Sequence, residues 1–279
     1  MNNLPIVTNE NYFSVECNMA YMGSSQFKAF QRCEAAALAQ AKGEFTTPPS
    51  PAMMVGSYVD AYFSGEMPLF QAQHPEIFKR DGSLKSEFIH AQDIINRMEE
   101  DELYMLLMSG NHQTIHTGFI AGVPFKIKID SLIGRATCEQ IAERFPDTAE
   151  ALGLLDGAIV DQKVMKDLNE VWSDEEHMKL PFIEAYGYDI QGAIYQAIEG
   201  HMLPVILAVG TKEPEPDLAA LYIDDADLDA KLHEIEELAP RYQAIKEGRI
   251  KPRRCEHCPY CRMTKKLTGI VNYKEVEEL

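Results

Sequence analysis

Lys126-Ile127-Lys128-Ile129-Asp130 and, further along, Ala158-Ile159-Val160-Asp161-Gln162-Lys163 are the two stretches on which the reading of this chain turns. Each is an apolar β pattern broken by charge. Residues two apart on a strand point to the same face, so Asp161 and Lys163 have to leave water together. A buried strand gains no stability from that arrangement, but chemistry can use it. Two carboxylates converging at strand ends can share a divalent cation, which offsets their repulsion, and a lysine ammonium beside them can meet negative charge on a phosphate. In the first strand Phe125, Ile127 and Ile129 are expected to face inward and Lys126, Lys128 and Asp130 outward, which puts the acid on the polar face.

Working outward, residues 113–132 predict a hairpin turning at Ala121-Gly122, and residues 159–164 a separate strand. Residues 205–209 and 218–223 read as two more strands around a Pro/Glu loop. Helical spacing predicts helices over about 24–42, 52–63, 86–108, 135–157, 181–200 and 225–248. Ser24 or Ser25 would cap the first of these. Residues 1–22 read as irregular and 64–85 as loop. Alternating strands and helices make the fold class α/β, with a mixed central sheet flanked by helices.

The chain has 279 residues, 46% of them hydrophobic and 9% aromatic, enough for a packed core in one large domain or two small ones. Its first residues lack a basic segment followed by an apolar run, and no stretch approaches the ~20 apolar residues that span a bilayer. A soluble, cytoplasmic protein without membrane partners is the expectation. With 26 basic and 44 acidic residues the formal charge is −18, which argues against coating nucleic acid over the whole surface. Charge is uneven, however. Arg241, Lys246, Arg249, Lys251, Arg253, Arg254, Arg262, Lys265 and Lys266 face only Glu247 and Glu256 over the same stretch. It reads either as a phosphate track or as a solvated helix end and loop.

Four features occur in order: Gly56-Ser57-Tyr58-Val59-Asp60 on a helix, Asp130 on a strand, Asp161-Gln162-Lys163 on a strand, and Gln191-Gly192-Ala193-Ile194-Tyr195 on a helix. Together they resemble the PD-(D/E)xK nuclease superfamily, and within it the exodeoxyribonuclease VIII (RecE-like) branch of phages and prophages, which includes the helicase–nuclease subunit AddB and CRISPR-associated nucleases. The resemblance covers about residues 24–266. It implies a restriction-endonuclease-like core and a Mg²⁺- or Mn²⁺-dependent deoxyribonuclease, exonuclease rather than endonuclease. Asp130 and Asp161 would be metal ligands, the Gln162 carbonyl a further one, and Lys163 the catalytic lysine. Gln191 and Tyr195 would face the site and the DNA. Asp60 stands where this branch commonly has histidine and would be a metal ligand directly or through water. The long spacing from Asp130 to Asp161 implies an insertion. Linear duplex ends or single-stranded tails would be the substrate, in phage-type recombination or replication, with a strand-annealing protein as partner. Two other readings remain: a DNA-end binding or assembly module with weak hydrolysis, and a zinc-stabilised protein-interaction domain. His112 and His116, four apart, are a further pair able in principle to bind metal, or ordinary strand residues.

Six cysteines suit a reducing compartment poorly as disulfides, and three of them crowd into Cys255-Glu256-His257-Cys258-Pro259-Tyr260-Cys261. A tight C-x2-C-x2-C triple is typical of a [4Fe-4S] cluster with a fourth ligand from elsewhere. By the same resemblance that fourth ligand is Cys33. Zinc, with His257 helping, and plain reduced thiols are the alternatives. Cys17 and Cys138 read as isolated free thiols. The whole of 1–279 is then expected to form one nuclease-like domain, with the helix near 24–42 and the cysteine segment near 250–267 closing together.

Overall fold

The computed structural model describes residues 4–148, 156–173, 176–267, 269, 270 and 272. The chain divides into two compact units, one of residues 48–117 and 127–233 and one of residues 1–47, 118–126 and 234–279. The larger unit holds most of a five-stranded sheet. Its strands are β1 (Asn111–Ile120), β2 (Val123–Gly134), β3 (Gly157–Met165), β6 (Val205–Thr211) and β7 (Leu218–Tyr222), in the order β1-β2-β3-β6-β7. β2 and β3 run antiparallel, β3 and β6 parallel, and β6 and β7 antiparallel. The sheet is therefore mixed and flanked by helices, as the α/β, restriction-endonuclease-like expectation has it. A small hairpin of β4 (Val171–Ser173) and β5 (Met178–Leu180) stands apart from it.

Alternation along the central strands covers both sheet faces. Ile133, Ala158, Val160, Ile206 and Ala208 join one core with side chains of α4 (Pro51–Phe63), α6 (Ser86–Glu99), α7 (Glu102–Leu107) and α8 (Arg135–Arg144). Leu207 and Val209, one residue out of phase, join Met165 and Phe182 in a second cluster. The helix following the second hairpin, α10 (Tyr188–Glu199), also packs on β6. It can lie close because Gly192 offers no side chain. A Cβ there would stand 2.9 Å from Leu228 and 3.2 Å from Val205.

The smaller unit is built from α1 (Val15–Ala20), α2 (Ser24–Arg32), α3 (Glu34–Ala41), the hairpin tip and the chain from Glu234 onward, within α11 (Asp225–Lys246). Tyr242 stacks on Phe30 at 5.1 Å between ring centroids and meets Phe27 edge-on at 5.3 Å. Met22 pairs with the tip strand through Met22 N to the Pro124 carbonyl, 2.8 Å, and Lys126 N to the Met22 carbonyl, 2.9 Å.

Several sequence expectations need correction. Residues 1–22 contain α1, capped by Ser14, whose hydroxyl accepts from Cys17 N. The next helix starts at Ser24 with Gly23 as its N-cap, so neither serine caps it. It does not run to residue 42 either, because Cys33 is extended, φ −165°, and separates α2 from α3. Residues 64–85 include α5 (Met67–Gln73). The predicted 86–108 helix is broken by Asp101, which starts α7 by accepting from Tyr104 N at 2.8 Å. Of the predicted 135–157 helix, α8 ends at Arg144, residues 149–155 lie outside the described residues, and Gly157 already begins β3. The predicted 181–200 helix is two: α9 (Phe182–Ala185), then α10 after Gly187, a glycine in the left-handed region at φ 62° that resets the chain direction. Lys126 is buried rather than outward. Its ammonium donates to the Tyr12 carbonyl and to Asn18 Oδ1 and lies 4.5 Å from the Tyr12 ring centroid.

Candidate active site and thiol centre

The β2–β3 ladder runs from Gly134 opposite Gly157 to Ser131 opposite Val160. The next residue on each strand is an aspartate, Asp130 on β2 and Asp161 on β3. Beyond the last ladder pair a side chain takes over from the backbone: Gln162 N donates to Asp130 Oδ2 at 2.9 Å. Despite the long stretch between them, which includes α8, the two acids meet across adjacent strands.

Asp161 is buried, and its Oδ1 accepts from Gln191 Nε2 of α10 at 2.6 Å. Its Oδ2 accepts no hydrogen bond of good geometry and instead faces the Lys163 ammonium as an ion pair. Lys163 Nζ also lies 3.4 Å from the Gln162 carbonyl and 5.1 Å from the Tyr188 ring centroid. Tyr195, one helical turn after Gln191, is buried and spends its hydroxyl on the Lys128 carbonyl at 2.9 Å. It fastens α10 to β2 two residues before Asp130. Gln162 Nε2 donates to the Tyr104 hydroxyl at 3.0 Å, which leaves the Gln162 side chain in the core.

Asp60, from α4, completes the group. Burial raises its carboxyl above the usual range, with the Asp161 charge adding to it and Lys128 and Lys163 opposing. Asp130 is driven well above the usual range by burial first, then by Asp161 and Asp60. For Lys163, burial works against the charged form, but Asp161 and Asp130 outweigh it and hold the ammonium on. Three acids and one lysine therefore feel one another strongly. The donor set is all oxygen: three carboxylates, one with a buried oxygen met only by the Lys163 ammonium, plus the Gln162 carbonyl. That is the chemistry of a hard divalent cation.

One residue of the site had no sequence signal, and a second was singled out only as half of a histidine pair. Gln113 of β1 donates from Nε2 to Asp60 Oδ1 at 3.2 Å. His112 places Nδ1 3.0 Å from the Asp130 carbonyl. Sequence spacing suggested His112 with His116 as a metal pair or as ordinary strand residues, and among the described residues neither belongs to a group of three or more metal-capable side chains.

In the smaller unit Cys33, Cys255, Cys258 and Cys261 bring their four sulfurs within 4.8 Å of one another. Cys33 Sγ lies 3.6 Å and Cys255 Sγ 4.0 Å from Cys261 Sγ. Backbone N–H groups point at sulfur, Cys258 N to Cys255 Sγ at 3.3 Å and Cys261 N to Cys258 Sγ at 3.4 Å, the latter as the N-cap of α12 (Pro259–Met263). Burial opposes ionisation of Cys255, but the N–H groups of Cys258 and His257 prevail and hold its thiol down at about 6. Burial pushes Cys258 up to about 12. The chain segments are clamped by Glu34, which accepts from Arg241 Nε at 2.7 Å, Arg241 at 3.0 Å and Arg253 N at 2.6 Å. Cys17 and Cys138 are buried and outside the group.

The same geometry thins the basic stretch. Arg241 is spent on Glu34, and Lys246 is buried on the Tyr21 carbonyl at 2.7 Å and Gln26 at 3.0 Å. Arg249 pairs with Glu247, and Arg254 with Glu256. Lys251, Arg253, Arg262, Lys265 and Lys266 are exposed.

The model of a family described as a PDDEXK-like domain of unknown function (DUF3799) matches residues 23–138 and 151–264. Among solved structures, a crystal structure from Eubacterium rectale described as a "putative exonuclease" is similar over 98% of each chain, with 36% sequence identity and a TM-score of 0.85. No curated protein matches the chain. No helix among the described residues is long and apolar enough to cross a membrane.

Proposed function

The chain belongs to this PDDEXK-like family, within the PD-(D/E)xK superfamily, and we propose that it hydrolyses DNA phosphodiester bonds with a divalent metal at the Asp60, Asp130 and Asp161 site. The observation that carries the reading is the meeting of Asp130 and Asp161 at the end of the β2–β3 ladder with Lys163 on Asp161. Mg²⁺ or Mn²⁺ would be held by these carboxylates and the Gln162 carbonyl, with Asp60 directly or through water. The bound cation would supply a polarised phosphate and a water of lowered pKa. Gln191 occupies Asp161 Oδ1 and so fixes which oxygen the acid offers. Lys163 is kept charged by its acids and donates toward the phosphoryl oxygens as negative charge grows there. Tyr195 sets the distance between α10 and β2.

The resemblance to the exodeoxyribonuclease VIII branch and the exonuclease description of the Eubacterium rectale protein favour DNA ends over internal sites. A phage-type recombination role and a strand-annealing partner rest on that resemblance alone. The test is Mg²⁺- or Mn²⁺-dependent release of acid-soluble nucleotides from linear duplex DNA by wild type, Lys163→Ala and Asp130→Asn. Loss of release in both folded variants is expected. Rates within a factor of two of wild type would overturn the assignment.

For the thiol centre the distances favour one tetrahedral ion. Zinc–thiolate bonds of about 2.3 Å put neighbouring sulfurs about 3.8 Å apart, which matches 3.6 and 4.0 Å. A [4Fe-4S] cube inserts iron and sulfide between every pair of thiolates and needs them further apart. The spacing of the four sulfurs therefore favours zinc, with the iron–sulfur cluster as the alternative. Protein purified without oxygen should be colourless and contain zinc in a one-to-one ratio. Brown protein with stoichiometric iron would restore the cluster.

A further inference from the structure

β1 leaves strand geometry at one residue. Gln113 has φ 51°, in the left-handed region that disfavours side chains with a Cβ, and it is not a glycine, asparagine or aspartate. It is also 92% buried, being 8% exposed, although nothing apolar is gained by burying an amide. Its Nε2 donates to Asp60 Oδ1 at 3.2 Å, while its Oε1 has no partner. An ionised carboxylate can only accept, so the amide nitrogen is the end that faces Asp60 and the carbonyl oxygen is the end left over. The kink is stitched in place by its neighbours: Gly110 N donates to Ser131 Oγ at 3.0 Å and His112 Nδ1 meets the Asp130 carbonyl at 3.0 Å. Gly110 permits this approach, since a Cβ there would lie 2.5 Å from the Leu132 backbone. Glycine would accept the backbone better, and an apolar side chain would not leave a carbonyl oxygen unpartnered in the interior. A residue that meets neither structural need, beside Asp60, is held for what its amide does.

We infer that Gln113 is a positioning residue of the carboxylate site, whose N–H orients Asp60 and whose free Oε1 accepts from a water of the divalent cation bound there. The inference rests on the nuclease reading of that site. A neutral amide suits the role because a further carboxylate would add to the repulsion that already raises Asp60 and Asp130. Partners of metal ligands that hold them in orientation are worth about 10- to 100-fold in metal affinity.

Mn²⁺ binding by electron paramagnetic resonance and melting of the metal-free protein separate the possibilities, in wild type, Gln113→Gly, Gln113→Leu and Asp130→Asn. Both Gln113 variants should bind Mn²⁺ about tenfold or more weakly. Gln113→Gly should nevertheless melt at or above the wild-type temperature, because glycine takes the left-handed backbone without strain. Affinity and stability then move in opposite directions, which a merely structural residue would not produce. Wild-type affinity in both Gln113 variants overturns the inference and leaves the nuclease reading standing. Wild type that binds no more Mn²⁺ than Asp130→Asn overturns both. A Gln113→Gly chain that fails to fold assigns the amide to the fold and also overturns the inference.

Discussion

The carboxylate site and the thiol site gather their ligands in opposite ways. Four sulfurs lie within 4.8 Å of one another, and at Cys255 backbone N–H groups already favour the thiolate, although burial raises Cys33 and Cys258. Asp60, Asp130 and Asp161 are brought together against their own repulsion, with two of them driven toward the neutral form by burial and by one another. They do not form so compact a set; among the described residues only the cysteines do. On the proposed reading the thiol site would hold its ion permanently. The carboxylate site gains from a cation it can also exchange, and its raised energy when empty is the counterpart of the catalysis assigned to it.

The largest expected effect breaks the comparison into two halves. Lys163→Ala should lower the rate of DNA release by about 10³-fold, the range for losing one charge-stabilising donor, while the melting temperature falls by less than in Cys33→Ser, since only the Asp161 counter-ion is lost. Cys33→Ser should do the reverse. Cys33 and Cys255 lie more than 200 residues apart, so a metal link between them closes a very long loop. By the measure used for cross-links of that length, losing it costs about 4–5 kcal/mol. Calorimetry and nuclease assay on both variants check this together. If Lys163→Ala melts lower and Cys33→Ser melts unchanged, the assignment of chemistry to one site and stability to the other is reversed.

How much of this was legible beforehand follows from which interactions are local. The strands around Asp130 and Asp161 showed in the sequence because alternation and a charge at a strand end are properties of consecutive residues. The meeting of the two acids is set by the register Ser131 to Val160, which no spacing of residues encodes. Breaks at Cys33 and Gly187 were missed because helical spacing of apolar residues persists across them; what interrupts the helix is one backbone conformation. Lys126 read as outward from alternation alone, yet the carbonyl of Tyr12 and the amide of Asn18 make burial tolerable, and both are distant in sequence. Gln113 gave no signal at all, since its partner Asp60 is on another element and its strain is a matter of φ.

A smaller effect comes from a second pair of like charges, in the smaller unit. Lys246 is held down to about 7 by burial first and by Lys126 second, and burial holds Lys126 down to about 8, with the Cys17 thiol opposing. Carbonyl groups rather than a counter-ion receive both ammoniums. A lysine whose folded pKa is lowered binds fewer protons folded than unfolded between that pKa and about 10.4. Stability should therefore rise as pH goes from about 7 toward 10 and be flat below 7, with a slope of up to about 1.4 kcal/mol per pH unit for each proton. Lys246→Met should remove nearly all of that slope between pH 7 and 8 and about half of it above pH 8, where Lys126 contributes as well. Denaturant titrations at pH 7, 8 and 9 measure it, and an unchanged slope in the variant would place the titration elsewhere.

The smallest effect sharpens the contrast at the carboxylate site. Asp130 has a folded pKa raised well above its unfolded value. The sign is then opposite to that of the lysines: its contribution is fully present below the unfolded pKa, about 3.9, and is lost as pH rises through the raised folded pKa. At neutral pH the metal-free protein carries that loss as repulsion among Asp60, Asp130 and Asp161. Asp130→Asn removes one charge and keeps the shape, so the metal-free variant should be more stable than wild type by about 1 kcal/mol, a shift of a few degrees for a chain of this size. It also gives up an acceptor for Gln162 N only in part, since the asparagine amide oxygen can still receive that bond. Adding Mn²⁺ should reverse the order, because only wild type gains binding free energy from the cation. Melting curves with and without Mn²⁺ give all four temperatures. Asp130→Asn melting below wild type in the absence of metal would show that Asp130 holds the strand end together instead of straining it.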